Sequence, residues 1–78
     1  MELVRNKASG KFFVLLDDAG GIDFLVVTPE GKIKRLERRL FDIQEVVDPQ
    51  KARLNRNLTQ PQVAVYSDYF REERSHET

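Results

Sequence analysis

Cysteine and tryptophan are absent from this 78-residue chain, and its one histidine, His76, stands near the end of the sequence. Without cysteine there is neither a disulfide nor a thiolate nucleophile. A single imidazole is too few for a His/Cys zinc or haem site. Ser9, Ser67 and Ser75 have no internal histidine to activate them, which excludes a nucleophilic triad on the same ground. Long apolar runs are also missing: the longest early one, Phe12 to Leu16, falls far short of a signal h-region or a membrane span. The expectation is a protein with no membrane segment, placed by default in the cytoplasm. Asn57-Leu58-Thr59, a glycosylation sequon in form, is set aside for that reason.

What is present is the composition of one globular domain, 1–78, with 40% hydrophobic and 33% charged residues. A domain this small buries only about 60% of the surface of its unfolded chain, so docking or oligomerisation is a natural source of further stability. The formal net charge is zero, yet residues 1–30 carry −2, residues 31–56 carry +4 and residues 57–78 carry −2. A local positive field of this kind attracts polyanions, because phosphates respond to charges within about one Debye length, ~8–10 Å.

Along the chain, Lys11 to Asp17 and Ile22 to Thr28 read as two strands joined by the acidic glycine turn Asp17-Asp18-Ala19-Gly20-Gly21. Thr28-Pro29-Glu30-Gly31-Lys32 reads as a second hairpin loop, with Pro29 in a type I turn and Gly31 at the left-handed position, pairing 22–28 with about 32–36. Met1 to Arg5 adds a further strand, Leu3 and Arg5 on one side and Val4 on the other. For 33–47 two readings stay open. Ile33, Leu36, Leu40, Ile43 and Val47 form a heptad seam of a helix, whereas Phe41, Ile43 and Glu45 alternate as a strand. Asp48-Pro49 caps a short helix through Leu54 that leaves Lys51, Arg53 and Arg56 exposed. Thr59-Gln60-Pro61-Gln62 has the form of a capping box, with Leu58 and Val63 as its staple. It opens a helix to about Glu73 whose apolar face is Val63, Tyr66, Tyr69 and Phe70. Residues 74–78 read as a flexible tail. The fold class is α+β, mainly β: a small antiparallel barrel or meander over about 1–47, a helical extension over 48–73 and a C-terminal helix at about 60–73.

The candidate binding residues follow from charge and shape. Lys32, Lys34, Arg35, Arg38 and Arg39 place five cations within eight positions, a strip able to follow a phosphate backbone, or else a solvated face paired with Asp17, Asp18 and Glu37. Phe12, Phe13, Phe24 and Phe41 would stack on bases if exposed, and fill a core if not. Tyr66, Tyr69 and Phe70 form a candidate protein-interaction face. Asp17, Asp18 and Asp23 lack the spacing of a calcium loop, and Glu30-Gly31-Lys32 puts its charges in a turn rather than on a rigid element. Lys7-Ala8-Ser9-Gly10-Lys11 lacks the first glycine of a phosphate-binding loop and reads as a connecting arc. No catalytic, cofactor or metal constellation emerges, so the expectation is a protein that is not an enzyme.

The order Leu3-Val4-Arg5-Asn6-Lys7-Ala8-Ser9-Gly10-Lys11-Phe12-Phe13-Val14-Leu15, an acidic glycine turn, an apolar strand and then Gly31-Lys32-Ile33-Lys34-Arg35-Leu36-Glu37-Arg38 resembles the KOW-type SH3-like domains. These occur in ribosomal and small ribosome-associated proteins. The resemblance covers about residues 3–40 and implies a five-stranded small barrel that binds structured RNA through basic loops. Two functions follow as expectations. One is an RNA- or ribosome-associated module using the basic strip. The other is a protein-interaction or regulatory adaptor, including a homodimer, that uses a sheet edge or the aromatic helix face.

Overall fold

The computed structural model describes residues 1–18 and 21–77, and the side chains of all of these except those at 43 and 72–77. Five strands, β1 (Glu2–Asn6), β2 (Phe12–Asp17), β3 (Asp23–Val27), β4 (Ile33–Glu37) and β5 (Phe41–Val46), form one antiparallel sheet in the order β4-β3-β2-β1-β5. A single 3-10 turn, Arg38–Leu40, separates β4 from β5, and a 3-10 helix, Pro49–Leu54, leads to the helix α1, Gln60–Glu77.

The two hairpins expected from the sequence are present. Gly31, at φ +86°, closes the β3–β4 turn, in which the Gly31 amide donates to Thr28 O and the Thr28 amide to Lys32 O, both at 2.8 Å. The β2–β3 turn falls partly on residues 19 and 20, outside the described residues; Gly21, at φ +86°, supplies its left-handed residue. The segment 33–47 is two strands and no continuous helix. Its heptad seam loses to Pro29 and Gly31, which set a hairpin and hand the chain on in extended form, so that Ile33 to Glu37 pairs along all of β3.

The sheet is not closed into a barrel: β4 and β5 are its two margins, each with a single neighbour. It is nevertheless strongly curled. In a flat sheet β3 and β5 would stand about 14 Å apart, three strand spacings. The rings of Phe24 on β3 and Phe41 on β5 have centroids 5.9 Å apart, and Phe13 meets Phe41 edge-on at 5.4 Å. Two bulges produce the bend. The β1–β5 register shifts between Arg5 and Asn6, leaving Asp42 as the extra residue, and the β2–β3 register shifts between Leu15 and Asp17, leaving Leu16.

Alternation along the strands then builds two cores. On the inner face of the curl Val4, Leu15, Phe24, Val26 and Phe41 are buried, with Phe13 and Leu36 packed against them. On the outer face Leu3, Val14 and Val27 lie side by side in register and are covered by Leu58, Val65 and Tyr66. The aromatics Phe24 and Phe41 are therefore core residues, 5% and 9% exposed, and offer no stacking platform.

The C-terminal helix differs from expectation in extent and in register. It runs beyond Glu73 to Glu77, since Arg71 to Glu77 contains neither Gly nor Pro. Its sheet-facing stripe is Gln62, Val65 and Tyr66 rather than one that begins at Val63. The reason is polar. Gln62, fully buried, is hydrogen-bonded at both ends of its amide. Nε2 donates to Phe12 O at 2.9 Å and to Val27 O at 3.2 Å, while Oε1 accepts from the Thr59 amide at 3.0 Å. Thr59 Oγ1 completes the capping box by accepting from the Gln62 amide at 3.3 Å, and donates its own hydrogen to Pro29 O at 2.6 Å. The Asp48 cap is also formed, its carboxylate accepting from the Gln50 amide at 2.9 Å, although the turns that follow are 3-10 rather than α.

Candidate functional site

The five cations of the basic strip are exposed, but the fold divides them. Strand alternation sends Lys34 to the face shared with Val26 and Leu36, and Arg35 to the opposite face beside Leu25. Arg38 leaves the strip: its guanidinium pairs with Asp18 and stands 5.0 Å from the centre of the Phe24 ring. Arg39 pairs with Glu37. Lys34 and Arg35 make no ion pair among the described residues. Lys32 sits in the β3–β4 turn. Three of the five cations thus remain available, on two faces and a loop.

A second group of cations gathers at one end of the sheet. In a meander the β1–β2 and β3–β4 connections emerge at the same end, and the 55–59 segment that leads into α1 crosses there as well. Gly10, Lys11, Phe12, Pro29, Arg56 and Asn57, with the capping pair Thr59 and Gln62 at the base, line an open pocket of about 310 Å³. Glu30 lies next to Pro29 in the β3–β4 turn. Its carboxyl is held below the ordinary glutamate range first by its own backbone amide and by the Thr28 hydroxyl, and further by the charges of Lys11 and Lys32. Lys11 and Arg56 therefore line one concavity, and Lys32 stands in the adjoining β3–β4 turn beside Glu30. The β3–β4 turn is seated against the helix start, where a Cβ on Gly31 would come within 2.8 Å of Pro61 Cβ.

The β1–β2 connection is itself ordered by side-chain hydrogen bonds. Asn6 Oδ1 accepts from the amides of Ala8 and Ser9, both at 3.0 Å, and Gly10 adopts φ +71°. This fixes the direction in which Lys11 leaves the sheet. Sequence reading treated 7–11 as a mere connecting arc and Arg56 as one exposed cation among several. Hairpin parity was the available signal, since it places Lys11 and Lys32 at one end whatever the loop conformations.

The aromatic trio is partly consumed in packing. Tyr66 lies against the outer core, Phe70 contacts both Tyr66 at 4.7 Å and Tyr69 at 5.2 Å, and all three are half-buried. A groove of about 360 Å³ runs beside them between Met1, Leu16 and Phe70. At the β5 margin, Arg5 clasps the bulge residue Asp42 through Nε at 3.1 Å and Nη2 at 2.9 Å. The Arg5 hydrogen bond, aided by its charge, holds the Asp42 carboxyl below the usual aspartate range. Among the described residues no three His, Cys, Asp or Glu side chains are grouped as metal ligands, and no helix is long and apolar enough to cross a membrane.

Compared with known proteins, the chain matches no family model, no curated protein and no solved structure.

Proposed function

We propose that this domain is a non-enzymatic RNA-binding module whose contact centre is the loop end of the sheet, where Lys11 and Arg56 line the 310 Å³ pocket and Lys32 stands in the adjoining β3–β4 turn. The observation that carries the reading is this convergence. Two segments far apart in sequence deliver cations to one concavity, and the β3–β4 turn beside it carries a third, Lys32. Lysines supply point charges and Arg56 a planar fork, the mixture suited to a phosphodiester backbone. The curled five-stranded sheet and its basic loops are also what a KOW-type SH3-like resemblance leads one to look for. Arg38 and Arg39, engaged with Asp18 and Glu37, contribute less, and Lys34 stands further along the edge.

Fluorescence anisotropy with a structured RNA hairpin at about 50 and 200 mM salt tests the reading, since counterion release makes affinity fall with salt. Lys11→Glu with Arg56→Glu should abolish binding and flatten the salt dependence, while Arg39→Ala should leave both nearly unchanged. Equal loss from Arg39→Ala, or indifference to the double variant, would return the contact to the strip or remove RNA from the proposal.

The adaptor alternative through Tyr66, Tyr69 and Phe70 has less support, because Tyr66 is committed to the core and the other two rings pack on one another along the helix.

A further inference from the structure

The two margins of the sheet differ in sign. On β4 the edge carries Lys34 and Arg35, with its one acid, Glu37, already paired to Arg39. On β5 it carries no cation, and of its two acids Asp42 is already paired to Arg5, which leaves Glu45. Both strands have one neighbour and an unoccupied side, so each presents main-chain donors and acceptors to an incoming strand. Both also leave apolar side chains in water, with Ile33 48% exposed on β4 and Val46 78% exposed on β5.

These facts discriminate among pairings. Joining β4 to β4, or β5 to β5, of a second copy brings together two edges of the same net sign and leaves Arg35 without Glu45 as a cross-strand partner, which is the less favourable arrangement. Joining β4 to β5 sets unlike charges together. The faces agree as well. Arg35 stands opposite Leu25, on the face shared with Asp23 and Val27, and Glu45 stands opposite Leu3, on that same helix-covered face. A sheet continued from one copy into the next keeps its faces aligned, so a register exists in which Arg35 lies beside Glu45 of the neighbour.

We infer that the domain self-associates head to tail, β4 of one copy extending the sheet at β5 of the next, with a second copy of this chain as the occupant of both edges. Such a contact is heterologous. It therefore closes into a ring or runs on as a filament, and does not stop at a symmetric pair. Lys11 and Arg56, which line the loop-end pocket, are not part of the contact, so the inference stands apart from the RNA reading.

Sedimentation velocity over a concentration series up to about 1 mM, at low and at high salt, is the test. The expected result is a mass that rises with concentration through species larger than a dimer and falls as salt is added. Arg35→Glu alone and Glu45→Arg alone should each hold the protein monomeric, because each sets like charges at the 35/45 contact. The double variant should regain association, and so should an equimolar mixture of the two single variants. Both positions are exposed, and an unchanged amide spectrum checks that each variant is folded. A monomer throughout the series, a species that stops at a dimer, or association that survives Glu45→Arg would each overturn the inference. Lys11→Glu with Arg56→Glu, which breaks RNA binding, should leave the association intact, so the two readings fail separately.

Discussion

The two faces of one sheet are closed by opposite means. The outer face is an aliphatic row, Leu3, Val14 and Val27, roofed by a helix that is held in place by a polar side chain, Gln62, with its amide nitrogen and its carbonyl oxygen both hydrogen-bonded. The inner face has no roof. It is filled by aromatic rings that meet only because the sheet bends on itself at two bulges. Alternation supplies apolar residues to both faces alike, and what covers them depends on features that alternation does not encode.

The sharpest way to break the comparison is at Phe41, the ring shared by both aromatic contacts of the inner core. Phe41→Ala removes a buried ring that no other element can replace, with an expected loss of about 3–4 kcal/mol. Urea unfolding monitored by circular dichroism measures it. A loss below about 1 kcal/mol would mean that the curl is held by the backbone bulges and not by the rings. On the outer face the corresponding change is Gln62→Leu, which keeps the bulk but strands two strand-end carbonyls and the Thr59 amide. The expected loss is about 2–3 kcal/mol. Here the second readout matters: amide exchange should quicken across α1 while the β1–β5 ladder stays protected, a pattern that Phe41→Ala should reverse.

Between these faces lies the seam where the β3–β4 turn touches the helix start. Gly31→Ala meets two obstacles there, a left-handed φ of +86° and a Cβ 2.8 Å from that of Pro61. The expected loss is about 1–2 kcal/mol. Gly10→Ala, at φ +71° with open space around it, isolates the conformational part alone. Thermal unfolding of the pair separates them, and equal losses would show that the turn is free to move away from α1.

How far these features could be read from the sequence follows the same division. Local grammar was legible: the Pro29-Gly31 turn, the Thr59-Gln62 capping box and the Asp48 cap are each formed by the residues that announce them. Curvature was not, because the extra residues Leu16 and Asp42 look like ordinary members of alternating strands, and a bulge is defined by its partner strand. The helix face was misplaced for a related reason. A search for apolar periodicity skips glutamine, yet Gln62 is the residue the sheet encloses. Of the candidate site, the strip was visible as composition. The grouping of Lys11 with Arg56 needed the topology, and the pairing of Arg38 with Asp18 and Arg39 with Glu37 needed the fold.

The smallest effect concerns the bulge that bends β5. Arg5 donates two hydrogen bonds to Asp42, and the carboxyl is held below the usual aspartate range by that contact. Because the folded value is the depressed one, the stabilisation from this pair is fully present above the unfolded aspartate value, about 3.9. It is lost as the pH falls through the lower folded value. The guanidinium keeps its charge throughout, so only Asp42 titrates. Carboxyl-carbon NMR should find the Asp42 midpoint below that of an unpaired aspartate, and Arg5→Gln should return it to the ordinary range. Asp42→Asn should flatten the acid limb of the stability profile slightly, since the pair is open to water and screened by it. An Asp42 that titrates at the ordinary value in the native protein would show the pair to be absent in solution. The β5 bulge would then rest on main-chain pairing and Phe41 alone, which ties the weakest of these tests to the strongest.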